Sequence, residues 1–166
     1  MKVKETYRVR VIKDYLVFCS GHFISYHGNE CERLHGHNYR AGVELVAPLD
    51  ENHYVFDFIA LKNLLRELID ELDHRMLLPL QNPLIRVEQN SESVQVRFAH
   101  KYWQFPREDC VLLPIINTTA EELAAYLANR LLGKLKEKYS FCPEYLQLEV
   151  EESFGQIAYY EWRIDR

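Results

Sequence analysis

The sequence is short of the residues that interrupt or staple a chain. Gly and Pro occur only 6 times each in 166 residues, which excludes collagen-like and linker-rich organisation. Cysteine is sparse: Cys19, Cys31, Cys110 and Cys142 are scattered, with no Cys-x-x-Cys pair. That spacing argues for reduced thiols in a cytoplasmic protein and against a disulfide framework. No apolar run approaches the roughly 18 residues of a membrane span. The charged start (Lys2, Lys4, Glu5) has no apolar segment behind it of the kind a secretion signal needs. Basic residues are not in excess either: Lys+Arg number 20 against 25 Asp+Glu, a net charge of −5. This argues against a general nucleic-acid binder and leaves room for a local basic pocket that takes an anionic small molecule.

What is present is the balance of a globular protein, 48% hydrophobic and 27% charged. The length suits a single domain over 1–166. Tyr7, Val9 and Val11, then Leu16, Phe18 and Ser20, alternate as in an extended strand from Thr6 to about Phe23, with a break near Lys13-Asp14. After the turn residues His27-Gly28-Asn29, a second strand runs from His37 to Ala47 and closes at Pro48. Leu61, Leu64, Leu65, Leu68, Ile69 and Leu72 then recur at helical spacing. A second helix begins at Thr119, where Thr119 and Glu122 fit a capping box, and Leu123, Leu127, Leu131 and Leu135 form its stripe. Gly133 weakens its last turns. Leu146, Leu148 and Val150 alternate, Ile157 to Trp162 is apolar and aromatic, and Ser153-Phe154-Gly155-Gln156 supplies a hairpin connection. From about Pro79 to Ile116, Val94, Val96 and Phe98 alternate ahead of Tyr102-Trp103-Gln104-Phe105, which predicts an extra hairpin inserted between the helices. Strands and helices are grouped rather than alternating, so the class is α+β with an antiparallel sheet.

Several residues could carry chemistry. His35 and His37 lie two apart on a strand, so they share a face. Alone they are equally well two hydrogen-bonded histidines. His22 ends the preceding strand, where antiparallel pairing would bring it beside them, and three imidazoles with one open position are the ligand set of a catalytic zinc site. Cys31, near such a centre, would be an acidic thiol able to act as base or nucleophile; otherwise it is a small buried apolar residue. Cys19, between Val17, Phe18 and Ser20, suits that buried role better. Asp73-His74 follows the first helix, either as an oriented acid–base pair or as charges suited to a helix end. Glu152 continues the face of Leu146, Leu148 and Val150, while Glu149 and Glu151 fall on the other. It is either a sheet-edge charge or a carboxylate held for the paired N–H donors of a guanidine-like ring edge. His27, His53 and His100 read as exposed residues without a role.

Five segments occur in order: Cys31-Glu32-Arg33-Leu34-His35-Gly36-His37-Asn38-Tyr39, Val55-Phe56-Asp57-Phe58 with Leu61-Lys62, Leu72-Asp73-His74, Thr119-Ala120-Glu121 and Glu152-Ser153. In these the chain resembles the 6-pyruvoyltetrahydropterin synthase / 6-carboxytetrahydropterin synthase family, over about residues 13–78 and 117–162. The resemblance implies a T-fold: an antiparallel four-stranded sheet with two helices on one face, here with an insertion at about 79–116. It implies a cytoplasmic homo-oligomer, commonly a hexamer, with active sites between subunits and neither nucleic acid nor membrane as partner. It implies Zn2+ on His22, His35 and His37, catalytic roles for Cys31, Asp73 and His74, and pterin recognition by Glu152 with Thr119 nearby. The implied substrate is 7,8-dihydroneopterin triphosphate and the implied product is 6-carboxy-5,6,7,8-tetrahydropterin, made with loss of triphosphate and acetaldehyde as in queuosine biosynthesis.

Glu32 directly after Cys31 gives Cys-Glu-x-x-His-Gly-His, which resembles the subgroup that combines this chemistry with the folate-type product, 6-hydroxymethyl-7,8-dihydropterin. Glu32 is then a second catalytic candidate, or else a solvated loop charge. 6-Pyruvoyltetrahydropterin is a further product of the same substrate, and a non-catalytic zinc- or pterin-binding protein is the alternative from another class. Two departures stand out: Thr118 where the family commonly has Pro, and the long 79–116 segment.

Overall fold

The computed structural model describes residues 5–165; Lys2 and Lys4 lie outside them. In chain order the strands are β1 (Tyr7–His22), β2 (Ser25–Tyr26), β3 (Glu30–Cys31), β4 (His35–Ala47), β5 (Arg75–Pro79), β6 (Arg86–Gln89), β7 (Ser93–Phe98), β8 (Lys101–Pro106), β9 (Cys110–Leu113), β10 (Tyr145–Ser153) and β11 (Gln156–Arg163). Helix α1 (Phe58–Asp70) follows β4 and α2 (Ala120–Tyr139) follows β9. No helix among the described residues is long and apolar enough to cross a membrane.

The main sheet has the order β11-β10-β4-β1-β5-β9. Its centre is antiparallel, as the alternating apolar patterns require. β1 pairs with β4 from Tyr7↔Ala47 to His22↔His35, and the register shifts between Ile12 and Val17, where the sequence pattern breaks. The expected four strands are extended to six by β5 and β9, which pair in parallel. Their apolar runs Met76-Leu77-Leu78 and Val111-Leu112-Leu113 do not alternate, because strands covered on both faces need no polar side. Cys19 is exposed, against expectation: the period of two that buries Phe18 and Ser20 turns Cys19 outward.

The two helices share one core with the sheet. The Asp57 carboxylate accepts from the N–H groups of Ile59 and Ala60 and starts α1. Its buried stripe is Leu61, Leu64, Leu65, Leu68 and Ile69. The Thr119 hydroxyl accepts from Glu122 N–H at 3.4 Å and starts α2. That helix continues through Gly133 and stops at Ser140, whose left-handed φ of 51° returns its N–H to the carbonyls of Leu135 and Lys136. Leu146, Leu148 and Val150 lie beneath the helices with no exposed surface. Each such side chain stabilises the fold by about 1.5–3 kcal/mol through burial. The opposite face carries the ion pairs Arg10–Glu149, Arg40–Glu151 and Arg8–Glu44.

The segment expected to form a hairpin forms a three-stranded sheet, β6-β7-β8. Val94, Val96 and Phe98 from β7 build a second apolar cluster with Phe23, Met76, Leu78, Ile85 and Cys110. Phe23 stacks on Trp103 with centroids 4.5 Å apart. The small sheet therefore leans on the chain immediately after His22.

Candidate metal centre and recess

The ends of β1 and β4 assemble the site. Because His22 pairs with His35 and Ser20 with His37, all three imidazoles gather at one end of the ladder. Ring centroids lie 4.7 Å apart for His22 and His35, 5.3 Å for His22 and His37, and 4.8 Å for His35 and His37. One ligand atom from each falls within 4.8 Å of the others. Gly36 permits this crowding: a Cβ there would stand 3.0 Å from the Ser20 carbonyl oxygen.

Hydrogen bonds select the tautomers. Nδ1 of His22 lies 2.8 Å from the Thr118 carbonyl oxygen, and Nδ1 of His35 lies 2.8 Å from that of Arg33. A carbonyl only accepts, so each Nδ1 carries the proton and each Nε2 keeps a free lone pair. Nε2 of His22 is buried without a hydrogen-bond partner among the described residues. Burial pushes the His22 imidazole below its usual range, favouring the neutral form that a metal needs. Nitrogen ligands of this number, with an orphaned buried lone pair, fit a divalent metal ion such as zinc.

Glu152 completes the cluster. Glu152 continues the row of Leu146, Leu148 and Val150, at the point where the register between β10 and β11 shifts between Glu151 and Ser153. Its Oε1 lies 3.6 Å from Nε2 of His22 and 3.8 Å from Nε2 of His37. Glu149 and Glu151 remain on the other face with their arginines. A recess of about 450 Å³ opens here, lined by His22, His35, Glu152, Glu32 and the α2 start at Thr119, and within the usual range for small-molecule sites.

The remaining expected residues are arranged less simply. Glu32 lines the recess, and its Oε2 accepts from Ile24 N–H at 3.3 Å. Cys31 does not line it. Its thiol packs against the second apolar cluster and donates to the Glu32 carbonyl at 3.5 Å. Burial pushes that thiol up, against a smaller opposing effect of the Lys101 ammonium. Asp73 and His74 lie outside the recess. Asp73 Oδ1 accepts from Cys19 N–H at 2.7 Å and stands 3.6 Å from His74 Nδ1. The His74 side chain is 81% exposed, and it lines a separate hollow that shares His35 with the first. His27, His53 and His100 are exposed.

Three further participants have roles that the sequence does not specify. Thr118 is fully buried and contributes a carbonyl, which no residue type announces, while its hydroxyl donates to the Phe23 carbonyl at 3.2 Å. Tyr39 is fully buried with centroids 5.8 Å and 5.5 Å from His22 and His37. Its spacing of two from His37 was the available signal. Burial and then the Glu152 charge push its phenol well up, so it stays neutral. Lys101, from β8, reaches the carbonyls of Cys31 and Glu32.

Two long antiparallel strands ending in converging imidazoles, with two helices packed on the same core, make this a T-fold protein of the three-histidine kind. Residues 11–163 match the family described as 6-pyruvoyl tetrahydropterin synthase, and the chain belongs to that family. A Methanocaldococcus jannaschii relative, provisionally named 6-carboxy-5,6,7,8-tetrahydropterin synthase, is 34% identical over 146 residues, covering 87% of this chain and 89% of its own. A Rickettsia bellii protein carrying that name outright is 32% identical over 126 residues, covering 75% and 81%. Among solved structures, Plasmodium vivax 6-pyruvoyltetrahydropterin synthase superposes with a TM-score of 0.90 at 27% identity, over 97% of this chain and 100% of its own. That enzyme is also described with a glutamate, called a catalytic residue, changed to alanine or to cysteine. Family and relatives make this chain a pterin synthase.

Proposed function

We propose that the protein is a zinc-dependent lyase converting 7,8-dihydroneopterin triphosphate to 6-carboxy-5,6,7,8-tetrahydropterin, with release of triphosphate and acetaldehyde, in a queuosine-type pathway. The observation that carries this reading is the convergence of His22, His35 and His37 beside Glu152, next to a recess that His22, His35 and Glu152 line. The names of the curated relatives favour this product over its alternatives. The ring gains two hydrogens while a side-chain carbon is oxidised, so the reaction needs no external oxidant or reductant.

His22, His35 and His37 would hold the zinc, which when bound supplies Lewis acidity toward the substrate's side-chain hydroxyls. The Glu152 carboxylate accepts the paired N–H donors of the pterin's pyrimidine edge, a charge-assisted and directional contact. Thr119, which lines the same recess, serves the same recognition. Cys31, as thiolate, takes the proton from the side-chain carbon, and triphosphate leaves by elimination. His74 moves protons, and Asp73 orients it. Within one chain Asp73 and His74 stand outside the recess, which supports a homo-oligomer, a hexamer by family resemblance, whose sites form between subunits.

One observation favours a second product, 6-hydroxymethyl-7,8-dihydropterin. Glu32, not Cys31, faces the recess, and the P. vivax enzyme is described with a catalytic glutamate. Glu32 is then the base. The test is incubation of zinc-loaded protein with dihydroneopterin triphosphate and identification of products by mass spectrometry, repeated with Cys31→Ala and Glu32→Ala. The first reading expects the carboxy product to vanish in Cys31→Ala while zinc stays bound. Unchanged carboxy product in that variant overturns Cys31 as base. Unchanged substrate with fully metallated wild type overturns the lyase and leaves a pterin-binding protein.

A further inference from the structure

The loop carrying Cys31 and Glu32 is held from two sides. On one side β2 and β3 pair Ser25 with Cys31 and Tyr26 with Glu30, and Glu32 N–H donates to the Ile24 carbonyl at 3.0 Å. On the other side stands the small sheet β6-β7-β8. Lys101, the first residue of β8, donates from Nζ to the Cys31 carbonyl at 2.6 Å and to the Glu32 carbonyl at 3.2 Å. Each bond has a charged donor, and such bonds are stronger than neutral ones. Ordering the long lysine stem costs conformational entropy, which this double contact offsets.

The two gripped carbonyls belong to the two residues whose side chains part company. Glu32 lines the recess, whereas Cys31 packs on the apolar cluster of the same small sheet. Consecutive side chains of an extended segment point to opposite sides. A loop held extended therefore offers the recess one of these two groups at a time. Fixing the carbonyls fixes the peptide planes, and the peptide planes decide which group that is.

We propose that Lys101 is a positioning residue: by gripping the carbonyls of Cys31 and Glu32 it sets the loop conformation that presents Glu32 to the recess and withholds Cys31, and so governs turnover. The catalytic half of this proposal rests on the second reading above, in which Glu32 is the base; the grip stands on the loop geometry by itself.

The experiment compares zinc-loaded wild type, Lys101→Met and Lys101→Arg. Backbone hydrogen exchange over residues 31–34 is expected to rise about tenfold in Lys101→Met, as for a loop that opens locally, and to return toward wild type in Lys101→Arg. With dihydroneopterin triphosphate, Lys101→Met is expected to lose about tenfold in kcat for the hydroxymethyl product with KM within about twofold, the mark of a misplaced catalytic group rather than lost binding. Lys101→Arg is expected to restore kcat, with metal content and thermal midpoint unchanged in both. Unchanged exchange in Lys101→Met overturns the grip. Raised exchange with wild-type kcat and product ratio overturns the positioning role. An inactive wild type overturns the lyase reading and with it the catalytic half, while the exchange comparison still decides the grip. Should Lys101→Met fail to fold, Lys101→Gln, a donor without charge, takes its place with the same expected directions.

Discussion

The Glu152 carboxylate stands 3.6 Å from Nε2 of His22, a buried nitrogen without a hydrogen-bond partner among the described residues. A carboxylate there either joins the three imidazoles on a metal or waits beside them for a ligand's N–H groups. We assign it the second role. Glu152→Ala is then expected to keep its zinc, measured by elemental analysis of the purified protein. It should weaken pterin binding by about 10–100-fold, the worth of a charge-assisted hydrogen bond. Zinc lost along with the carboxylate would make Glu152 a ligand instead.

Gly36 lies where the two strands are most crowded. An added methyl would meet the Ser20 carbonyl oxygen at 3.0 Å and the Gly21 Cα at 3.6 Å, both backbone. Gly36→Ala should therefore spread the ladder end, costing about 1–3 kcal/mol in urea unfolding and reducing zinc content. Full stability and full metal content together would show that the ladder yields.

Phe23 ties the main sheet to the inserted one through Trp103. Phe23→Ala is expected to cost about 3–5 kcal/mol, with the largest rise in hydrogen exchange over residues 86–106. A loss spread evenly across the protein would mean that the two apolar clusters unfold as one.

Burial pushes the Cys31 thiol up, which lowers its thiolate fraction at any given pH. In metal-free protein, peptide-resolved alkylation near neutral pH should label Cys31 more slowly than the exposed Cys142. The Cys31 rate should keep climbing above the pH at which an ordinary thiol levels off. Faster labelling of Cys31 than of Cys142 would show that the thiol is activated without metal.

The central strands and both helices were legible because each buries one face, and burial writes a period of 2 or 3.6 into the sequence. The same logic placed His22 beside His35 and set Glu152 on the apolar row. What escaped was structure without a period. β5 and β9 are short and covered on both sides, so their apolar runs carry no alternation. Thr118 acts through its backbone. Lys101 acts across a gap of 70 residues, a distance that no local pattern spans. Cys31 sits among Glu30, Glu32 and Arg33, which announce no core position, yet the inserted sheet brings an apolar cluster to it.

The pairing of β1 with β4 also constrains how such a protein can change. A slip of β4 by one residue would turn Tyr39, Val43 and Leu45 out of the interior and carry His35 and His37 away from His22 in the same motion. Folding correctly and gathering the histidines are thus a single event on this ladder. A variant that keeps these three histidines and its packed interior keeps them gathered, which leaves the loops around the cluster as the freer ground for change.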